Sequence, residues 1–408
     1  MEWFMVLGAG EFQLPLIRAA KAREMKVVVV SAPGDYPGFA EADAQVLCDV
    51  RDKKAVLKAA REYKICGIAT DQTDIPVPTA AYVAARLGLP GMSEETALNF
   101  TDKARMRWLC RQAGLPTIRA WEIDSAEKVG SFFRRIHGSA ILKPVDSQGS
   151  RGVCRLEREE EWEEKFQQAV AYSEKKEALL EEYITGQELE VDSLVINGEV
   201  TVLATGKIEL FSLPDTFSSY LRVYPADLPG DRLALLEQVN RQTIQALGLK
   251  QGITHGEYIV GEDGKIYLIE IAARGGGNFV SSHIVPDRSG LRTEEFIVDA
   301  ATRHSVEAPV LRPACGVVCC LSFYLPEGRV ETIAGVEELD RDPDVLVHSL
   351  HKIQVGTKCG KNLDKTSRFT IVLKAKDYEA LRKKIAGVKE TVKIMVRCKD
   401  RLGGPIWQ

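Results

Sequence analysis

Residues Gly256–Gly277 read GEYIVGEDGKIYLIEIAARGGG, two apolar runs set around an Asp-Gly pair. Asp263-Gly264 favours a type I′ turn between antiparallel strands. Pairing outward from that turn sets Glu262 against Lys265, Ile259 against Leu268 and Glu257 against Glu270. Two like charges then face each other, which destabilises a hairpin unless a cation stands between them. Mg²⁺ suits such a pair, because it binds through one or two carboxylates and takes its other ligands from water and phosphate oxygens. Two plainer readings stand beside this one: a one-residue bulge that separates the glutamates, or a solvated hairpin end.

The rest of the chain sets limits on what that hairpin serves. At 408 residues it exceeds one ordinary core, so two to four domains or subdomains are expected. A net charge of −4, with 27% charged and 45% hydrophobic residues, describes a globular protein with no basic excess for nucleic acid. The longest apolar runs, KVVVVSA (26–32) and GVVCCLSFYL (316–325), are far shorter than a bilayer span, and MEWFMVLGAG at the start lacks a signal peptide's charged start and cleavage site. A cytoplasmic protein without a membrane partner is the expectation. The nine cysteines form no CxxC pair and no Cys/His cluster, so neither zinc nor a disulfide framework is indicated, and reduced, mainly core thiols are expected.

About ninety residues from the N-terminus alternate strand and helix, as parallel α/β units do. WFMVLGAG, KVVVVSA and ICGIAT read as strands; residues 12–23, 53–64 and TAAYVAARLG, closing at Gly88, read as helices. The Gly8-Ala9-Gly10 turn raises a nicotinamide dinucleotide. That fingerprint wants a third glycine where Gln13 stands and an acid ending the second strand where Ser31 stands. Next, TDKARMRWLCRQAGLP (101–116) is a helix capped by Thr101 or Asp102, with Gly114 past its last turn and Pro116 as a stop. Lys103 in its first turn opposes the helix dipole and invites an anion, unless it is a solvated surface lysine.

AILKPVDSQGSRGVCRL (140–156) is a strand, a small-residue loop from Asp146 to Gly152, and a strand. No Gly-Lys-Ser/Thr follows, so it is not a Walker loop. Its serines and glycines can fold over phosphates with Lys143 as a point charge, or it is an ordinary flexible hairpin loop. A helix-prone stretch, 157–176, leads into ALLEEYITGQELEVDSLVINGEV, where Asn197-Gly198 marks a hairpin and Glu188, Glu190 and Asp192 alternate onto one face, ordinarily a wet one. Residues 207–230 read as an irregular excursion of binding-loop or lid type. Beyond Arg312 come strands CGVVCCLSFYL, RFTIVLKA and VKIMVR and helix DYEALRKKIAG.

With these pieces in order, the chain resembles the ATP-grasp superfamily, above all its carboxylate-amine ligases of the L-amino-acid ligase type and more distantly biotin carboxylase. The resemblance rests on LGAGEFQLPLIRAAKA, TDKARMR, ILKPVDSQGSRGV, LEEYITGQELEVD and the paired glutamates, all in the family's order. It implies an α/β (α+β) fold: a Rossmann-like N-terminal domain over 1–96, an ATP-grasp domain over 97–311 with a lid at about 135–180, and a C-terminal α/β subdomain over 312–408. It implies ATP with one or two Mg²⁺ ions, or Mn²⁺ in their place, small carboxylate and amine substrates, and a homodimer.

Residue by residue, the resemblance puts Lys103 and Lys143 on the ATP phosphates and Ser147, Gly149, Ser150 and Gly152 in the loop above them. Glu181, Glu182, Tyr183 and Ile184 would meet adenine, largely through the backbone, and Glu188 the ribose. Glu257 and Glu270 would be the metal ligands, Arg274 would face the reacting acyl group and the Gly277 N–H would assist it. His255 lies on the strand face of Glu257, where it could touch substrate or be a satisfied structural histidine. There is one departure: many members carry asparagine two residues after the second glutamate, and here that position is Ala272. A water, Asn278 or a weakly held metal would account for it. The implied reaction is amide formation through an acyl phosphate. A bicarbonate-activating carboxylase, a nucleotide-binding module without catalysis and the nicotinamide oxidoreductase are the alternatives.

Overall fold

The computed structural model describes residues 1–136, 138–147, 149–213, 216–303, 306–360 and 367–408. Gln148 of the phosphate-loop reading and residues 214–215 of the excursion lie outside the described residues.

The N-terminal strands β1 (Trp3–Leu7), β2 (Lys26–Ser31), β3 (Ala44–Leu47) and β4 (Ile65–Ala69) form a parallel sheet in the order β3-β2-β1-β4. Val27 to Val30 are all buried, which is why β2 reads as an unbroken apolar run: helices cover both faces of such a sheet. Helix Lys53–Tyr63 starts on Asp52, whose carboxylate accepts two backbone N–H bonds, and helix Val77–Leu87 ends on Gly88 at φ +66°. Gln13 folds into the glycine turn, its Oε1 accepting the Gly10 N–H at 3.1 Å and its Nε2 donating to the Asp71 carbonyl at 2.8 Å. The space a dinucleotide turn keeps open is filled by that side chain.

A second sheet, β5 (Ala120–Ile123), β6 (Ala140–Pro144), β7 (Cys154–Leu156) and β8 (Ala178–Glu182), runs in the order β5-β8-β6-β7. Helices Ala126–Phe133 and Trp162–Val170 pack on it through Val129, Phe132, Ala169 and Val170. The helix expected over 157–176 is shorter because only its middle offers an apolar face; residues 159–161 are three glutamates in a 3₁₀ turn.

Strands β9 (Gly186–Ile196), β10 (Glu199–Leu210), β11 (Ser219–Tyr224), β12 (Gly252–Gly261) and β13 (Ile266–Ala272) continue the chain. After them come β14 (Val317–Phe323), β15 (Gly328–Ala334), β16 (Val345–His348), β17 (Lys358–Cys359), β18 (Phe369–Ala375), β19 (Lys393–Cys398) and β20 (Arg401–Gly403). An eight-stranded sheet has the order β13-β12-β9-β10-β11-β14-β18-β16, and a small one the order β17-β15-β19-β20. Strands from beyond residue 312 therefore complete the sheet that the earlier strands begin. Asn197 (φ +54°) and Gly198 (φ +83°) make the two-residue turn between β9 and β10 that the sequence announces.

Four expectations need correction. Residues 207–230 are not one irregular excursion: β10 runs to Leu210, and SYLRVY is an interior strand paired with both β10 and β14. Buried on both faces and carrying an arginine, it shows no clean alternation. The face of Glu190 and Asp192 is not wet, since both side chains are fully buried. Four of the nine free cysteines are buried, so the thiols are not mainly core.

The fourth concerns the hairpin. Glu257 does pair with Glu270, but Tyr258 pairs with Leu268 and Ile259 with Tyr267. The Gly261 N–H donates to Lys265 and the Gly264 N–H to Gly261, so the turn is one residue longer than Asp-Gly alone. A bulge at Ile269 offsets that residue. The two departures cancel, and the glutamates still meet.

Candidate active site

A cleft of about 900 Å³, counting its open mouth, lies between the four-stranded sheet of β5–β8 and the eight-stranded sheet. The residues named for nucleotide and metal converge on it: Lys103, Lys143, Ser147, Ser150, Glu181 to Ile184, Glu188, Glu257 and Glu270. Ile118, Ile141, Val153, Leu210, Ile259 and Ile269 supply apolar walls. Gly149 and Gly152 follow at φ +70° and +73°, a conformation that shapes the loop between β6 and β7 around the cleft.

Lys103 and Lys143 are each held by a carboxylate. Asp102 caps helix Lys103–Gln112, so Lys103 emerges at its first position, buried, with Nζ 2.7 Å from Glu270 Oε1 and 2.6 Å from the Ser147 carbonyl. Lys143 on β6 is buried with Nζ 2.6 Å from Glu181 Oε2, and burial pushes its pKa down. Arg107, one turn along the same helix, reaches Glu181 Oε1 at 2.8 Å and the carbonyl of the bulged Ile269 at 2.5 Å. Burial alone would raise the Glu181 carboxyl, but Arg107 and Lys143 hold it below the usual carboxylate range. The Glu181 side chain is thus a buried counter-ion.

Glu257 and Glu270 are hard oxygen donors opposite each other on the cleft wall, a set that suits Mg²⁺. Glu257 Oε1 lies 3.4 Å from Arg222 Nη2, so protein cations stand against both carboxylates. The residues fit the ion: two carboxylates face each other on the cleft wall. Among the described residues one other group could hold a metal, Glu190, His255 and Glu257. It is already satisfied. Arg222 Nη1 sits 2.9 Å from Glu190 Oε2, and His255 Nδ1 sits 2.9 Å from Asp192 Oδ1. Burial would lower the His255 pKa, yet Asp192 and the glutamates carry it up to about 9. His255 is therefore a buried ion-pair partner.

Asn278, at φ +59°, turns its Oδ1 to the Thr370 hydroxyl at 2.9 Å. The atom left over is its Nδ2, a donor, which cannot stand in as the ligand that Ala272 lacks.

Arg274 stands apart from the cleft lining. Its Nε and Nη2 donate to the two oxygens of Asp74, each at 2.8 Å, and its Nη1 to the Gly275 carbonyl. Asp71 accepts the Gly275 N–H at 2.8 Å and the Ser281 hydroxyl at 2.9 Å. A loop after β4, at the edge of the N-terminal parallel sheet, therefore grips the glycine run. Gly275 and Gly276 are needed for this packing, since a Cβ would meet Ser281 Oγ at 2.1 Å and His255 Nδ1 at 2.7 Å. Gly277 has room, its nearest neighbour being the Gln72 carbonyl at 3.7 Å. Asp71, Asp74, Arg107 and Arg222 went unnoticed in the sequence, where no pattern ties two aspartates after β4 to an arginine two hundred residues later.

Glu294 is buried near Asp71, with Oε1 lacking a hydrogen-bond partner. Burial, reinforced by the Asp71 charge, lifts its pKa from 4.5 to about 8. The folded chain holds this proton more tightly than the unfolded one, so the contribution of Glu294 to stability is fully present below pH about 4.5 and is lost as pH rises through about 8. Glu294→Gln should flatten that decline and make the protein more stable than wild type above pH about 8, as urea denaturation across the range would read. An unchanged slope would contradict it.

Residues 136–283 match the family model of the ATP-grasp domain. The L-amino acid ligase from Bacillus licheniformis superposes with TM-score 0.81 at 22% identity, covering 98% of this chain and 99% of that one. Phosphoribosylglycinamide synthetase from Anaerococcus prevotii gives 0.78 at 19%, covering 97% and 100%. The biotin carboxylase domain of the Hydrogenobacter thermophilus 2-oxoglutarate carboxylase, solved with MgADP, ADP and bicarbonate, gives 0.77 at 17%, covering 99% and 91%. The chain has the ATP-grasp fold. Among the described residues no helix is long and apolar enough to cross a membrane.

Proposed function

We propose that this chain is an ATP-dependent ligase joining a small carboxylate to an amine. The carboxylate attacks the γ-phosphate of ATP, releasing ADP and forming an acyl phosphate; the amine then adds to the acyl carbon and phosphate leaves. The observation that carries this reading is the convergence of two lysines, the loop between β6 and β7 and the opposed glutamates on one cleft.

In that cleft Lys103 and Lys143 exchange Glu270 and Glu181 for the phosphates. The backbone of Glu181 to Ile184 takes adenine, and Glu188 takes the ribose hydroxyls. Glu257 and Glu270 would hold Mg²⁺, or Mn²⁺ in its place, which supplies charge neutralisation at the phosphates. Arg274 and the Gly277 N–H serve the oxyanion of the tetrahedral intermediate, chiefly by position and charge.

Purified chain, ATP and Mg²⁺ with panels of amino acids, sugar acids and small amines should release ADP and phosphate only when donor and acceptor are both present. Release with bicarbonate as the sole carboxyl donor would favour a carboxylase, and tight ATP binding without release a binding module. Lys143→Ala should raise the KM for ATP by about tenfold to a hundredfold, the scale of losing one hydrogen bond to a charged group. An unchanged KM would remove Lys143 from the site.

A further inference from the structure

One face of the eight-stranded sheet carries charge from end to end. Glu270 and Glu257 stand at the β13 and β12 end. Arg222 of β11 and Arg368, at the threshold of β18 and on the face of Thr370, stand toward the other. Arg222 has its charge answered by Glu190 and Glu257, and its Nε donates to Ser219 Oγ at 2.9 Å.

Arg368 is placed differently. Its Nη1 donates to Ser219, to the carbonyl at 2.8 Å and to Oγ at 3.0 Å. Its Nε is buried without an acceptor, and among the described residues no carboxylate forms an ion pair with it. Burial and the like charge of Arg222 push its pKa down to about 10. Thr370, two residues on, holds Asn278 by its Oδ1, and the Asn278 Nδ2 is also buried without a partner. A guanidinium whose buried Nε lacks an acceptor and an orphaned amide donor on the side chain that Thr370 holds are what an oxyanion receptor looks like before its ligand arrives.

We propose that Arg368, with Ser219 and Asn278 beside it, receives an oxyanion on a substrate, a carboxylate or a phosphate other than the carboxylate that is activated. Arg222 stands between it and Glu257, so this oxyanion is separated from the phosphate-transfer end by a guanidinium. One substrate of the ligase would therefore carry a second anionic group. This part rests on the ligase reading; the receptor itself does not.

The test uses the full chain saturated with ADP and Mg²⁺, so that the nucleotide's own anion site is filled. Succinate or inorganic phosphate is then titrated while the melting temperature is followed. One of the two should stabilise wild type, Arg368→Gln should abolish that response, and Arg368→Lys should keep part of it. Which anion acts decides between carboxylate and phosphate. No response to either, or equal responses in wild type and Arg368→Gln, overturns the receptor.

In the ligation assay, Arg368→Gln should raise the KM of the doubly anionic substrate by about tenfold or more while the KM for ATP stays within about twofold. The neutral amide analogue of that substrate should be used equally by both proteins. An anion response without any ligation would sink the ligase reading and leave the receptor. Ligation of the doubly anionic substrate at the same KM in wild type and Arg368→Gln would sink the receptor alone.

Discussion

Glu257→Gln and Glu270→Gln are each expected to reduce Mg²⁺-dependent ADP release by about a thousandfold or more, the scale of several kcal/mol of lost charge stabilisation at the transferring phosphoryl group. Each change removes one charge and keeps the shape. The effect on stability should differ between them. Glu270 faces the buried Lys103 at 2.7 Å, so its loss leaves that ammonium without its carboxylate, and Glu270→Gln should melt lower than wild type. Arg222 lies farther from Glu257, at 3.4 Å, and keeps Glu190 at 2.9 Å, so Glu257→Gln should melt close to wild type in metal-free buffer. Wild-type release by both proteins would remove the glutamates from the reaction. Equal melting temperatures would show that the Lys103 pairing is not what holds Glu270.

Arg274→Ala is expected to lower ligation by about a hundredfold or more, the scale of losing one oxyanion donor, with ATP affinity nearly unchanged because Arg274 does not line the nucleotide cleft. The arginine also neutralises Asp74, and both side chains are largely buried. Removing it takes the guanidinium from Asp74, and breaking a buried pair costs about 3–5 kcal/mol. Loss of activity alone would then be ambiguous. Pairing Arg274→Ala with Asp74→Ala resolves it, because the double change should recover the melting temperature and leave ligation low. Recovery of ligation along with stability would make Arg274 a brace for the glycine run. Lysine at 274 should rescue poorly, since it cannot donate to both oxygens of Asp74 from one planar fork.

What the sequence disclosed was local and patterned: the turn at Asn197-Gly198, the Asp102 cap that presents Lys103, the apolar run of β2, and the two glutamates. The hairpin register came out right at Glu257 and Glu270 although the turn is a residue longer, because the bulge at Ile269 repays that residue. What stayed hidden was set by tertiary burial. Glu190 and Asp192 alternate like a solvated strand face, and Arg222 and Tyr224 from β11 and the glycine run over His255 make that face interior. SYLRVY looked irregular for the same reason: a strand buried on both sides has no polar side to alternate with. The grip of Asp71 and Asp74 on the glycine run joins residues about two hundred positions apart, beyond the reach of any motif.

The shared sheet has a consequence for how the chain is made. β11 pairs with β10 on one side and with β14 on the other, yet β14 begins nearly a hundred residues after β11 ends. During synthesis at roughly 5–20 residues per second, that edge stays uncovered for on the order of 5–20 seconds after SYLRVY leaves the ribosome. An exposed edge with unpaired N–H and C=O groups is a template for another chain, and a charge within the strand is one of the ways proteins discourage such pairing. Arg222 supplies that charge on the nascent edge. The same guanidinium that stands beside Glu257 in the finished molecule would guard the half-made one, and Arg222→Leu should increase aggregation of nascent chains stalled before residue 317 relative to wild type, measured as the insoluble fraction.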